Sequence, residues 1–224
     1  MDFDRLLADL LVVPVVEIPE AAAAVPLAHA LIEGGLPCAE ITFRTAAAAD
    51  AIAAIAAEVP DIVVGAGTVL TVEQADRALS AGARFLVAPG FDRAVVDVAL
   101  KAGVPVLPGV CTPSEVSSAL SYGLRLVKFF PAEAAGGVAY LKAIAAPFGN
   151  VRFVPTGGIG PGNLTDYLQL PQVVACGGSW MVKKATIAAG EFATITRDAR
   201  AAVALATAAR PRAAQTEEVT YGAG

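Results

Sequence analysis

Short, apolar, β-branched runs alternate with alanine-rich amphipathic stretches along almost the whole chain, and this alternation leaves few folds open. The runs at 11–16, 37–42, 62–64, 84–88, 105–107, 125–129, 151–155 and 173–176 read as strands. Helical spacing occupies 20–33, 45–58, 71–81, 93–102, 112–121 and 138–146, with one helix before the first strand at 3–10 and a last one at 191–208. A strand reaches a parallel neighbour only through a crossover, and a helix is the usual crossover, so the pattern predicts repeated βαβ units. About eight such units predict an α/β fold of one domain, the (β/α)8 or TIM barrel, near the ~200-residue lower limit of that architecture. An open doubly wound sheet is the alternative, but it would need fewer repeats. The N-terminal helix is expected to cover the bottom of the barrel. The barrel is assigned to 1–209, and the polar segment 210–224, which has no periodicity, is expected to be a flexible C-terminal tail.

Helix starts are marked by residues whose side-chain oxygens can accept from free backbone N–H groups: Thr45, Thr71, Asp92 and Thr112. Thr112-Pro113-Ser114-Glu115 has the spacing of a capping box, with proline at the first helical position. Gly103 follows a helical run where the chain must turn left-handed, which glycine does without a Cβ penalty.

Composition excludes several classes of function. The net charge of −5 and an isoelectric point near 4.9, with no basic stripe, argue against a nucleic-acid partner. Mean hydropathy is high at +0.62, yet alanine supplies much of it and no apolar run reaches the ~18 residues of a spanning helix, so no membrane role is expected. The start, Met1-Asp2-Phe3-Asp4-Arg5, is acidic where a secretory leader would be basic, which makes the cytoplasm the expected compartment. Cys38, Cys111 and Cys176 lie far apart and suit a reducing compartment. With His29 as the only histidine, neither a histidine-based triad nor a multi-histidine metal site can be built, and no metal and no cofactor are expected.

The chemistry-bearing residues gather at strand ends, where barrels of this kind place their sites. Lys128 sits in the apolar run Leu126-Val127-Lys128-Phe129-Phe130-Pro131. A lysine near a core usually carries its ammonium out to solvent, but this segment offers no polar neighbour. Desolvation disfavours the charged form, which is what an amine nucleophile needs. In the second strand, alternation puts Glu40, Thr42 and Arg44 on one face and Ile41 and Phe43 on the other. The apolar pair would pack on helices, leaving Glu40, Thr42 and Arg44 to face the interior. They are either a structural ion pair or, with Lys128, a set of acid–base group, cation and nucleophilic amine, Arg44 repelling charge on the amine. Gly157-Gly158 and Gly178-Ser179 end the last two strands, where barrels often hold phosphate on backbone N–H groups. Two ordinary tight turns would look the same. Gly65-Ala66-Gly67 is not a dinucleotide fingerprint, since no third glycine follows at the required spacing.

Taken together, Val13-Pro14-Val15, Glu40-Ile41-Thr42-Phe43-Arg44-Thr45, Val64-Gly65-Ala66-Gly67-Thr68-Val69-Leu70, Lys128-Phe129-Phe130-Pro131-Ala132-Glu133, Pro155-Thr156-Gly157-Gly158-Ile159 and Gly177-Gly178-Ser179-Trp180 resemble the 2-keto-3-deoxy-6-phosphogluconate (KDPG) aldolase family. These are class I lyases of the Entner–Doudoroff pathway, often also active on 4-hydroxy-2-oxoglutarate (KHG). The resemblance runs from about Val12 to about Ala208. It implies a (β/α)8 barrel, a homotrimer and a small 2-keto acid phosphate as substrate. It makes Lys128 the Schiff-base lysine and Glu40 the proton carrier. Arg44 and Thr68 match positions that hold the pyruvate carboxylate, and Pro89, Phe130 and Thr156 match the substrate pocket. Gly157, Gly158, Gly178 and Ser179 match phosphate-binding turns. Phe43 is bulkier than the residue usual there, and the segment after Ala208 is extra. The rival readings are an aldolase for the C4 epimer, 2-keto-3-deoxy-6-phosphogalactonate, and a non-catalytic phosphate-binding or trimeric scaffold barrel.

Overall fold

The computed structural model describes residues 2–210. Helix α1 (Phe3–Leu10) leads into strand β1 (Val12–Val16), and strands and helices then alternate: α2 (Ala24–Glu33), β2 (Cys38–Thr42), α3 (Ala48–Glu58), β3 (Val63–Gly67), α4 (Val72–Ser80), β4 (Leu86–Val87) and α5 (Arg93–Ala102). The second half comprises β5 (Val106–Leu107), β6 (Gly109–Val110), α6 (Pro113–Ser121), β7 (Leu126–Phe129), α7 (Gly137–Ala145), β8 (Arg152–Pro155), α8 (Leu164–Leu168), β9 (Cys176–Gly178), α9 (Lys184–Ala188) and α10 (Phe192–Ala209).

All pairings are parallel, in the orders β5-β4-β3-β2-β1-β9 and β6-β7-β8. These two arcs close into one barrel. Strands β5 and β6 are two halves of one staff, parted at Pro108, which has no N–H to give to a ladder. The first half pairs back to β4 and the second forward to β7. On the other side, bridges Phe153↔Val173 and Thr156↔Gly177 join β8 to the segment of β9. Nine short segments thus make eight staves, the (β/α)8 barrel that the alternation predicts.

Two apolar layers hold the barrel. The outer layer lies between strands and helices, with Ile41, Ile52, Ile55, Phe129, Phe153 and Tyr167 fully buried in it. The inner one fills the N-terminal end of the barrel with Val13, Cys38, Phe85, Val87, Leu107, Leu126 and Val154. Helix α1 closes that end as its sequence suggests. Phe3 and Leu7 point inward, and the Phe3 and Phe85 ring centroids are 4.7 Å apart. Burial of this apolar plug pushes the Cys38 thiol up to about 12.

The capping signals at Thr71, Asp92 and Thr112 are used as written, including both arms of the Thr112–Glu115 box. Thr45 departs from expectation: its hydroxyl donates to the Ile18 carbonyl at 2.8 Å, and α3 begins three residues later. The last strand lies further on than its apolar run suggests, because the glycines themselves form it. A Cβ at Gly177 would overlap Thr156, and one at Gly178 would overlap the Trp180 ring. Helices α8 and α9, five residues each, are too short to show a period in the sequence. Arg210, placed at the start of the expected tail, is anchored: its guanidinium donates to the carbonyls of Leu168, Leu170, Val173 and Val174. The remainder of that tail, 211–224, lies outside the described residues. Among the described residues no helix is long and apolar enough to cross a membrane.

Candidate active site

Strand β2 alternates as its sequence demands. Ala39 and Ile41 pack into the outer layer, while Cys38, Glu40 and Thr42 face the interior. Glu40 needs room there, and Gly67 of β3, in register with Thr42, provides it, while Gly65, in register with Glu40, makes room for the Phe85 ring. A Cβ at Gly67 would lie 2.7 Å from Glu40 Cδ. From β7, Lys128 projects into the same space, and its Nζ donates to Glu40 Oε1 at 3.3 Å. Both side chains are about 95% removed from solvent, at 6% and 5% exposure. Lys128 Nζ also lies 5.3 Å from the centre of the Phe130 ring. A buried amine and a buried carboxylate, 88 residues apart in sequence, thus share one hydrogen bond.

Above this pair, at the C-terminal ends of the strands, opens a cavity of about 550 Å³. Thr42, Arg44, Phe130, Thr156, Gly157, Gly158, Gly178 and Ser179 all line it. Lys128 and Glu40 do not; they border a narrow void of about 10 Å³ beneath it. Thr156 borders both spaces and is the threshold between open cavity and amine. Thr68 and Pro89 follow the ends of β3 and β4 and lie outside the lining of the large cavity. Thr68 holds a left-handed backbone (φ 56°), a costly state for a β-branched residue and one that recurs at ligand sites.

Arg44 lies on the cavity face with Thr42, as alternation puts it, and Phe43 packs against the outer layer. Strand β2 ends at Thr42 and the chain turns, so Arg44 reaches the cavity rim with its side chain 53% exposed. Its partner is Glu17, with Nη1 4.0 Å from Oε2; Glu40 pairs with Lys128. Glu17 also accepts from Lys184 Nζ at 2.5 Å, and chiefly that bond holds its carboxyl below the usual carboxylate range. Glu17, Lys183 and Lys184 line the cavity and were not singled out from sequence, and Trp180, quoted only as the end of a motif, lines it too. Glu17 stands just past β1 as Arg44 stands just past β2, so inspection of strand ends extended to the first strand would find it.

The glycine turns are shaped for close approach. Gly157 and Gly158 have φ of 101° and 79°, and a Cβ at Gly158 would lie 2.6 Å from Glu133 Cβ. Glu133 in turn accepts from the hydroxyl of fully buried Tyr167, and its N–H donates to Gly157 O at 3.0 Å. Among the described residues no three His, Cys, Asp or Glu side chains converge as a metal site would require.

A lysine and carboxylate at the base of a parallel barrel, under a cavity ringed by cations and glycine turns, define a barrel enzyme that works through an amine on anionic substrates. The chain belongs to the KDPG and KHG aldolase family, whose model matches residues 3–198. It is 55% identical to the 2-dehydro-3-deoxy-phosphogluconate aldolase of Treponema pallidum, over 83% of this chain and 88% of that one. It is 49% identical to the KHG/KDPG aldolase of Escherichia coli, over 86% and 90% of the two chains. The KDPG aldolase of Legionella pneumophila, solved with pyruvate captured as a covalent carbinolamine, superposes with a TM-score of 0.86 at 41% identity, covering 90% of this chain and 98% of that one.

Proposed function

We propose that the chain is a class I aldolase that cleaves KDPG to pyruvate and D-glyceraldehyde 3-phosphate, and KHG to pyruvate and glyoxylate. The observation that carries the residue assignment is the buried 3.3 Å contact between Lys128 and Glu40. A proton passed from Nζ to Glu40 leaves a neutral amine, which adds to the C2 ketone. Glu40 hands that proton to the carbinolamine hydroxyl, which leaves as water, so that a protonated imine forms and the carboxylate is restored. When the C3–C4 bond breaks, its electron pair flows into that cation and forms an enamine, while the C4 hydroxyl gives its proton to Glu40 and becomes the aldehyde. Glu40 then returns a proton to C3, and hydrolysis frees pyruvate and the amine.

In this reading Arg44 and Thr68 hold the substrate carboxylate, the guanidinium by a charge-assisted bond. Pro89, Phe130 and Thr156 shape the pocket around the three-carbon fragment. Gly157, Gly158, Gly178 and Ser179 take the phosphate on N–H groups and one hydroxyl. The barrel comprises 1–209, acts in the cytoplasm within the Entner–Doudoroff pathway and assembles as a homotrimer, which sedimentation would test. No cofactor is required.

The decisive experiment is borohydride reduction in the presence of pyruvate. A stable adduct on Lys128 is expected; an adduct mapped to Lys101, Lys142, Lys183 or Lys184 would refute the assignment. Pyruvate release from KDPG and from its galactonate epimer, measured in parallel, decides the stereochemistry.

A further inference from the structure

The ends of the neighbouring strands β1 and β2 and the first residue of α9, the helix that follows β9, bring Glu17, Arg44 and Lys184 together on the cavity wall. Glu17 faces both cations, with Oε1 2.5 Å from Lys184 and Oε2 4.0 Å from Arg44. The same cavity is lined by Gly158 and Ser179. A carboxylate is out of place on the wall of a site for a substrate that carries a carboxylate and a phosphate, since like charge opposes binding. It is in place as the partner of an ammonium that would otherwise face the cavity uncompensated.

We propose that Glu17 is the resident counterion of Lys184, and that Lys184 exchanges it for the substrate's phosphate, so that the two form a specificity pair for phosphorylated substrates. The inference rests on the aldolase reading above. The ion pair is exposed, at 55% for Lys184 and 33% for Glu17, and such pairs are weak. A phosphate offers more charge and three acceptor oxygens, and a lysine on its four-carbon stem can turn from one partner to the other. Every phosphorylated substrate must displace Glu17 to gain Lys184. Glu17 therefore lowers phosphate affinity, and it keeps the ammonium occupied when the substrate has only a short distal carboxylate, as KHG does.

The test compares Glu17→Gln, Lys184→Met and the double variant. It measures KM and kcat for KDPG and KHG, and inhibition of KHG cleavage by inorganic phosphate. Glu17→Gln should lower KM for KDPG and tighten phosphate inhibition roughly 2- to 5-fold, the scale of an exposed ion pair, with kcat hardly moved. Lys184→Met should raise both constants by at least that factor, and the double variant should behave as Lys184→Met. If the Glu17→Gln effect persists in the Lys184→Met background, the carboxylate acts as a general negative charge and the pair is refuted. A KM for KDPG that ignores Lys184→Met refutes it as well. Borohydride trapping of pyruvate reads the imine independently. Trapping retained with unchanged phosphate affinity rejects the counterion alone, whereas no trapping in the unsubstituted protein rejects the aldolase reading beneath it.

Discussion

Gly67→Ala is the most incisive perturbation of the amine–carboxylate pair, because it replaces neither residue. Gly67 does not have a left-handed backbone, so alanine adds no conformational strain and acts only through its methyl group. That Cβ would stand 2.5 Å from Glu40 Cγ and 2.7 Å from Cδ, against the ~3.5–4 Å of a relaxed carbon contact. Relief requires a shift of about 1 Å, and the longer, more flexible partner is Glu40. The Lys128–Glu40 distance of 3.3 Å would then exceed hydrogen-bond range. A displacement of that size costs on the order of 10²-fold in turnover. Overpacking should cost ~1–3 kcal/mol of stability. The assay pairs KDPG cleavage with exchange of pyruvate methyl protons for deuterium, which reads Glu40, and with borohydride trapping, which reads Lys128. Cleavage and exchange should fall together while trapping survives. In a Glu40→Ala background every clashing atom is gone, so the stability cost of Gly67→Ala should shrink, a coupling that only neighbours show. Full exchange and turnover in Gly67→Ala would mean that Glu40 is not the proton carrier in this geometry.

Gly158→Val should expel phosphate by bulk and by strain at its left-handed φ, while Ser179→Ala removes at most a hydroxyl contact. Loss of one or two charge-assisted bonds predicts a roughly 10- to 10⁴-fold fall in kcat/KM for KDPG and little change for KHG; equal losses on both substrates would assign these turns to barrel shape. Tyr167→Phe removes the hydroxyl that Glu133 accepts from, at ~1.5–3 kcal/mol for a bond to a charged group, and calorimetry should show Tm lower by roughly 3–10 °C. Burial raises the thiols of Cys38 and Cys176, so a thiol reagent at pH 8 should leave both unmodified in the folded protein, and rapid labelling of Cys38 would contradict the α1 plug.

The barrel was legible because its determinants are periodic and local. Strand alternation put Glu40 inward, and Thr112 with Glu115 announced α6 outright. What escaped depends on partners distant in the chain. The sequence grouped Lys128 with Glu40 in the interior, but not the direct hydrogen bond between them, which joins motifs 88 residues apart. Arg44 stands on the face that alternation gave it, but its partner Glu17, on another strand end, was not foreseen. Glu17 was overlooked for a related reason: its meaning comes from Lys184, 167 residues away. The β9 glycines read as loop because propensity knows nothing of the Thr156 and Trp180 side chains that require their smallness.

The α1 plug makes the barrel a well with one mouth. Phe3 and Leu7 seal the end opposite the cavity, so nothing bound at Lys128 can leave downward. On the proposed assignment of Lys128 and the glycine turns, a substrate enters ketone first and stands with its phosphate toward the rim. When it is cut in two, the upper fragment is free at the exit while the lower is still tethered by its imine. Release then follows the order of a stack, last in and first out: aldehyde before pyruvate. In the synthetic direction the same confinement requires pyruvate to be loaded before any aldehyde, and an aldehyde that arrives first obstructs the shaft it would need.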